Sequence, residues 1–162
     1  KIGIVSDTHL SGNSCELPAE LIKNLRDCSL IIHAGDLVSK CVLESLEKIS
    51  KVEAVAGNMD DYTVSHALED KKILDIAGKK ICVMHGYGHP DGLVDILKNE
   101  FFSKKPDIII FGHSHVPKNE YIEGVLFFNP GSATDTLYAP YRSYGIIEID
   151  DDGKMKAEIR KL

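Results

Sequence analysis

Short apolar runs alternate with amphipathic segments along the first half of the chain. Ile2-Gly3-Ile4-Val5 runs into polar Ser6-Asp7. From Pro18 to Arg26, Leu21, Ile22 and Leu25 recur at helical spacing, and Pro18 suits a first turn. Leu30-Ile31-Ile32 is the next run. Val42, Leu43, Leu46 and Ile49 mark a second helix, and 52–56 is a third run. This rhythm predicts right-handed strand–helix–strand units and a parallel sheet. The middle differs: 73–77 and 80–84, separated by Gly78-Lys79, read as a hairpin. Leu93, Ile96, Leu97 and Phe101 predict another helix, ended before Pro106. Beyond the run at Ile108 the chain turns strand-rich, with strands predicted near 116–122, 125–128, 144–149 and 155–159. Asp150-Asp151-Asp152-Gly153 is a turn between the last two. No repeat or linker interrupts 1–162, so we expect one α/β domain, with two facing sheets flanked by helices.

Composition narrows the function classes. Apolar residues make up 43% and charged residues 27%, as in an ordinary globular protein. A net charge of −6 argues against coating long nucleic acid, which needs a cationic face. It does not argue against a small phosphorylated ligand, because a buried pair of metal ions makes its own local positive field. Cys15, Cys28, Cys41 and Cys82 form no C-x-x-C pair, and their spacing suggests neither a disulfide framework nor a zinc knuckle. Read as free thiols, they point to a reducing compartment, with Cys82 a small core residue. No run reaches transmembrane length, and the chain opens directly into a strand rather than a signal peptide, so a cytoplasmic location is expected.

Five apolar runs stop at residues able to bind a metal. The stops are Asp7 with His9, Gly35-Asp36, Gly57-Asn58, His85-Gly86 and Gly112-His113-Ser114-His115. In an open α/β sheet, ligands bind beyond the carboxyl ends of the strands, so parallel strands would bring these side chains to one edge. The residue types suit two divalent ions. A carboxylate such as Asp36 can bridge them, and imidazoles are borderline donors that are neutral at pH 7. The resulting positive charge can acidify a water and grip phosphate oxygens.

Asp7-x-His9, Gly35-Asp36, Gly57-Asn58, His85-Gly86 and Gly112-His113-x-His115, in this order, resemble the calcineurin-like metallophosphoesterase superfamily. The short length and Asn129-Pro130-Gly131-Ser132 resemble its small prokaryotic phosphodiesterase branch. The resemblance implies a four-layer αββα sandwich of two mixed sheets flanked by helices. It implies that Asp7, His9, Asp36 and His115 hold one ion, and that Asp36, Asn58, His85 and His113 hold the other. Asp36, Asn58 and His85 are then the residues closest to catalysis. The ions expected are manganese foremost, with iron, zinc or nickel as alternatives. A metal-bridging hydroxide would attack phosphorus in a small phosphodiester substrate. No membrane and no long nucleic acid are expected as partners, and a homodimer is possible. Many members carry histidine directly after the motif asparagine, where this chain has Met59. A thioether cannot donate a proton, so esters with good leaving groups should be preferred over alkyl monoesters. Asp60 and His89 are candidate replacements for the missing acid.

Singly, most of these signals have plainer readings. Asp7 with His9 is a polar turn, Gly35-Asp36 a common loop dipeptide, and Asn58 a turn residue. His85 alone is as readily structural. His33 supports the ligands or is a hydrogen-bonded core histidine, and His66 is an exposed residue. Asp60 reads better as a helix cap or turn than as a site residue. Phe101 reads as a core residue, and Phe102 as a partly exposed neighbour or dimer patch. A reading from another class is a non-catalytic protein-binding scaffold of the same fold, like a retromer subunit. Against it, all seven expected ligands stand unsubstituted.

Overall fold

The computed structural model describes residues 1–12 and 15–162. Strands β1 (Ile2–Val5), β2 (Leu30–His33) and β3 (Lys51–Ala54) run parallel, with Ile4 opposite Ile32 and Ile32 opposite Glu53. Their crossovers carry α1 (Ala19–Leu25) and α2 (Lys40–Glu47). On its other side β1 pairs antiparallel with β9 (Ser143–Ile149), which pairs with β10 (Met155–Lys161). The first sheet therefore has the order β10-β9-β1-β2-β3. After β3, α3 (Tyr62–Ala67) leads to the hairpin of β4 (Lys71–Ile76) and β5 (Lys79–Met84). Helix α4 (Leu93–Phe101) then crosses to β6 (Ile108–Ile110), and a second hairpin joins β7 (Lys118–Ile122) to β8 (Val125–Asn129). The second sheet has the order β4-β5-β6-β8-β7, with β5, β6 and β8 parallel.

Strand alternation builds the layers. Ile4, Ile32, Val83, Ile108, Ile110 and Phe128 face inward and pack sheet against sheet. Their neighbours face out. Val5, Ile31 and Ile146 meet Leu21, Leu25, Val42, Leu46 and Val64 from α1, α2 and α3. Cys82, Ile109 and Phe127 meet Leu93, Leu97 and Phe101 from α4. Each fully buried side chain of this kind is worth about 1.5–3 kcal/mol relative to exposure. The result is a four-layer αββα sandwich of two mixed sheets, as expected.

Several local expectations change. Pro18 precedes α1 at its cap instead of lying inside the first turn. Strand β7 starts at Lys118 and not at Val116, because Pro117 has no N–H to give a ladder. Helix α3 was not anticipated: it buries only Val64, and its start is fixed by Asp61, whose carboxylate accepts the Val64 N–H at 2.9 Å. Phe102 is, as expected, the partly exposed neighbour of buried Phe101, and it packs on the α4 layer, 6.3 Å from the Phe127 ring, under the Lys98 ammonium. The reading of four free thiols is also corrected. Cys15 and Cys41 form a disulfide with Cα atoms 5.8 Å apart, whereas Cys28 and Cys82 are free and buried. The pairing arises because the loop after β1 returns beside the start of α2, a tertiary contact that spacing cannot reveal. No helix among the described residues is long and apolar enough to cross a membrane.

Candidate metal centre

Each candidate ligand follows the carboxyl end of a strand. Asp7 and His9 follow β1, Asp36 follows β2, Asn58 follows β3, His85 follows β5, and His113 and His115 follow β6. The chain must reverse sharply at these points, and the backbone records it. Asp7, His9, Asp36, His113 and His115 all have positive φ, between 44° and 69°. L-residues with side chains rarely adopt this region, and it costs on the order of 1–2 kcal/mol per residue. The loops also approach one another too closely for side chains at two points. A Cβ at Gly112 would collide with Ser6 Oγ and lie 2.7 Å from Asp7 Oδ2, and one at Gly57 would strike the Asp36 backbone and carboxylate.

The loops bring the seven side chains together. Asp36 Oδ2 lies 3.5 Å from His9 Nε2 and 3.2 Å from His85 Nε2. Asp7 Oδ1 lies 3.3 Å from His115 Nε2, and 3.8 Å from both His9 Nε2 and His85 Nε2. His9 and His115 face each other with Nε2 atoms 3.1 Å apart. His113 Nδ1 lies 3.0 Å from Asn58 Oδ1. Two clusters have the mutual spacing of a metal site: Asp7, His9 and His115, and Asp7, Asp36 and His85. Asp7 thus touches both clusters, a role the sequence reading gave to Asp36.

Proton bookkeeping on the imidazoles tests whether cations fit. His85 Nδ1 donates to Ala34 O at 2.8 Å, His113 Nε2 donates to Gly88 O at 2.8 Å, and His115 Nδ1 donates to Asp135 Oδ2 at 2.5 Å. With one ring nitrogen carrying the proton outward, the other presents a lone pair inward. The lone pair of His113 then confronts the Asn58 carbonyl oxygen, acceptor to acceptor. His85 Nε2 is buried without a hydrogen-bond partner. The inward nitrogens of His85, His113 and His115, set beside two carboxylates, are the arrangement a divalent cation satisfies.

Without a cation these groups hold one another's protons. Burial would raise the Asp7 carboxyl, but His115, His9 and His85 around it hold it well below the usual carboxylate range. Burial likewise opposes ionisation of Asp36, yet His85 and the Met59 amide bring it down. Burial disfavours a charged His85, and Asp36 and Asp7 overcome that to raise it. Asp7 foremost, with Asp135, lifts His115 to about 9 against the effect of burial.

Among the other sequence candidates, His33 is fully buried, pairs with Thr8 Oγ1 at 3.2 Å, and is driven down to about 3 by burial. It braces the loop between Asp7 and His9. Asp60 accepts the Val38 and Gly57 N–H groups at 2.6 and 2.7 Å, clamping the Asp36 loop to the Asn58 loop. Its lone pairs are committed to backbone. His89 starts a short 3-10 turn, Pro90–Gly92, at the surface, and His66 is exposed on α3. Met59 is 58% exposed and contributes its amide to Asp36 Oδ1 at 2.7 Å. Asn129 Nδ2 holds Gly112 O at 2.8 Å, and Ser132 Oγ holds Asp7 O at 2.6 Å, so the segment 129–132 backs two ligand loops. Asp135 was missed altogether. It sits in an aperiodic loop, where no hydrophobic pattern marks it.

A cavity of about 560 Å³ opens beside His9 and His115, walled by Leu10, Met59, Leu137 and Tyr138. A smaller one of about 280 Å³ lies by Asn58, His85 and Tyr87.

Comparison with known proteins gives a consistent picture. A probable metallophosphoesterase of Methanocaldococcus jannaschii is 38% identical over 98% of this chain and 79% of its own length. A second protein of that organism, named a phosphodiesterase, is 29% identical, covering 85% of this chain and 86% of its own. The crystal structure of a Vps29 single mutant from Entamoeba histolytica superposes with a TM-score of 0.79 at 26% identity, covering 99% of this chain and 98% of that one. The family model of the calcineurin-like phosphoesterase superfamily domain matches residues 1–152, a span that includes every ligand loop and every strand but β10. The chain therefore belongs to the calcineurin-like phosphoesterase superfamily.

Proposed function

We propose that this protein is a metal-dependent phosphodiesterase acting on small phosphodiesters. The observation that carries the reading is the convergence of inward imidazole lone pairs on Asp7, Asp36 and Asn58. Asp7, His9, Asp36 and His115 would hold one divalent ion, and Asp36, Asn58, His85 and His113 the other, with manganese the first choice of metal. Two such ions would supply positive charge that grips phosphate oxygens and acidifies water. The chain's own part is to fix geometry. Asp36 Oδ2, near both His9 Nε2 and His85 Nε2, would be shared by the two ions, and Asn58 and His113 would flank the phosphate. The cavity walled by Leu10, Met59, Leu137 and Tyr138 receives an organic substituent of the ester. Met59, directly after Asn58, has no proton to give to a leaving group, and Asp60 accepts backbone amides. Good leaving groups are therefore favoured, and the rate should fall steeply as leaving-group pKa rises. A net charge of −6 disfavours long nucleic acid.

The test is hydrolysis of bis(p-nitrophenyl) phosphate beside p-nitrophenyl phosphate, in EDTA and then with manganese. Metal-dependent turnover favouring the diester is expected, and Asp36→Asn should lower kcat by at least about 100-fold, an electrostatic loss of ~3 kcal/mol. The likeness to Vps29 over 99% of the chain favours a second reading, a protein-binding scaffold. Silence on both substrates, from folded and metal-loaded protein, would support that reading instead.

A further inference from the structure

The imidazoles of the site are not backed alike. His85 and His113 each give their outer proton to a backbone carbonyl, of Ala34 and Gly88. His115 alone gives it to a carboxylate, Asp135 Oδ2, at 2.5 Å. That carboxylate is itself held in place. Its Oδ1 accepts the Leu137 and Tyr138 N–H groups at 2.7 and 3.1 Å, and its Oδ2 accepts the Ala139 N–H at 3.1 Å. The Ser132 hydroxyl accepts the Asp135 N–H at 2.9 Å while donating to Asp7 O. One side chain thus joins a ligand imidazole to the loop that walls the cavity. Ser132 ties the start of that loop to the Asp7 ligand loop.

We infer that Asp135 is a positioning residue that fixes the His115 ring with its proton on Nδ1, and so makes the Asp7–His9–His115 group the tighter of the two cation sites. The inference rests on the metal reading of the site. A carboxylate behind a ligand imidazole orients the ring and strengthens its donor nitrogen. Loss of such a partner lowers metal affinity by about 10- to 100-fold. A carbonyl does the first job and less of the second. Loading is therefore ordered. The Asp7–His9–His115 group fills first, and the group containing His113 fills second.

Asp135→Asn separates this role from a merely structural one. The amide oxygen can keep the bonds to Leu137 and Tyr138, and only the Ala139 bond to Oδ2 is lost from the loop. The amide nitrogen, however, would face His115 Nδ1 as a donor. The ring would then carry its proton on Nε2, the atom that faces Asp7 and His9. We would titrate the metal-free protein with Mn2+ by calorimetry, for the natural chain, Asp135→Asn, His113→Ala and the double variant. The expected result is two ions for the natural chain. The tighter phase should be weakened about 10- to 100-fold in Asp135→Asn, and the weaker phase should be lost in His113→Ala. The double variant should keep only the weakened phase. In the zinc-loaded natural chain, long-range 1H–15N correlation should show the remaining ring proton of His115 on Nδ1. Asp135→Asn binding both ions like the natural chain would overturn the inference and leave the phosphodiesterase reading intact. So would an equal loss at both sites, or a proton on Nε2. A folded natural chain that binds no Mn2+ would overturn both.

Discussion

At the scale of single residues, the site is a set of charges and lone pairs crowded more closely than water would leave them. Their mutual pairing sets how the metal-free protein responds to pH. His115 is raised from 6.5 to about 9 in the folded chain, so its contribution is full below 6.5 and is lost as pH rises through that window. Asp7 and Asp36 are lowered from 3.8, so their contribution is present above that value and is lost as pH falls through their folded pKa values. We predict that the melting temperature of EDTA-treated protein declines between pH 6.5 and about 9. With saturating Mn2+ the decline should shrink or reverse, because ligands must shed protons to bind and the higher pH helps them. Identical slopes with and without metal would contradict the assignment of His115 to a cation site. The seven candidate ligands were legible in the sequence because each stands where an apolar run stops. Asp135 was not, and Ser132 and Asp60 were singled out without the contacts they make. They act through backbone groups of segments distant in sequence, and neither periodicity nor spacing reports such contacts.

Secondary-structure elements obey their local chemistry to different degrees. The β4–β5 hairpin turns on Ala77 and Gly78, with φ of 49° and 73°, and closes with Ile76 opposite Lys79. Both central residues are left-handed, as the twist of a two-residue hairpin demands. Glycine accepts this freely, but alanine does not. Ala77→Asn, which creates the favoured Asn-Gly pair, should stabilise the protein by about 0.5–1 kcal/mol without altering activity, measured by urea denaturation. A destabilised variant would mean that the turn is held by something other than its own backbone. The hairpin, the parallel strands and three of the helices were readable because each spans enough residues to show a period. Helix α3 has one buried side chain, Val64, and six residues, too few for a pattern. It owes its place to the Asp61 cap and to the loop that Asp60 holds. The disulfide between Cys15 and Cys41 was likewise invisible, since it depends on where two loops meet rather than on either loop alone.

For the whole molecule, the site lies across the sandwich. Asp7, His9, Asp36 and Asn58 extend from the first sheet, and His85, His113 and His115 extend from the second. A cation bound by members of both groups ties one sheet to the other, so its binding energy is expressed in global stability. At a free concentration of about 100 times Kd, each ion adds ~2.7 kcal/mol, and a protein of this size gains roughly 5–10 °C in Tm. If the chain is one domain, calorimetry should show a single unfolding transition that moves as a unit when Mn2+ is added. A metal-insensitive transition, or one that splits, would mean that the ligands do not bridge the layers.

The left-handed backbone at five of the ligands bears on how such a chain drifts over generations. At His9, His113 or His115 a change to glycine removes an imidazole and relieves strain on the order of 1 kcal/mol. Once no ion is bound, discarding a ligand recovers that strain, whereas each bound ion would outweigh it by adding ~2.7 kcal/mol at about 100 times Kd. A lineage freed from the need for the chemistry would shed these residues first and retain the sandwich as a bare platform. A chain that still carries them carries that strain as well.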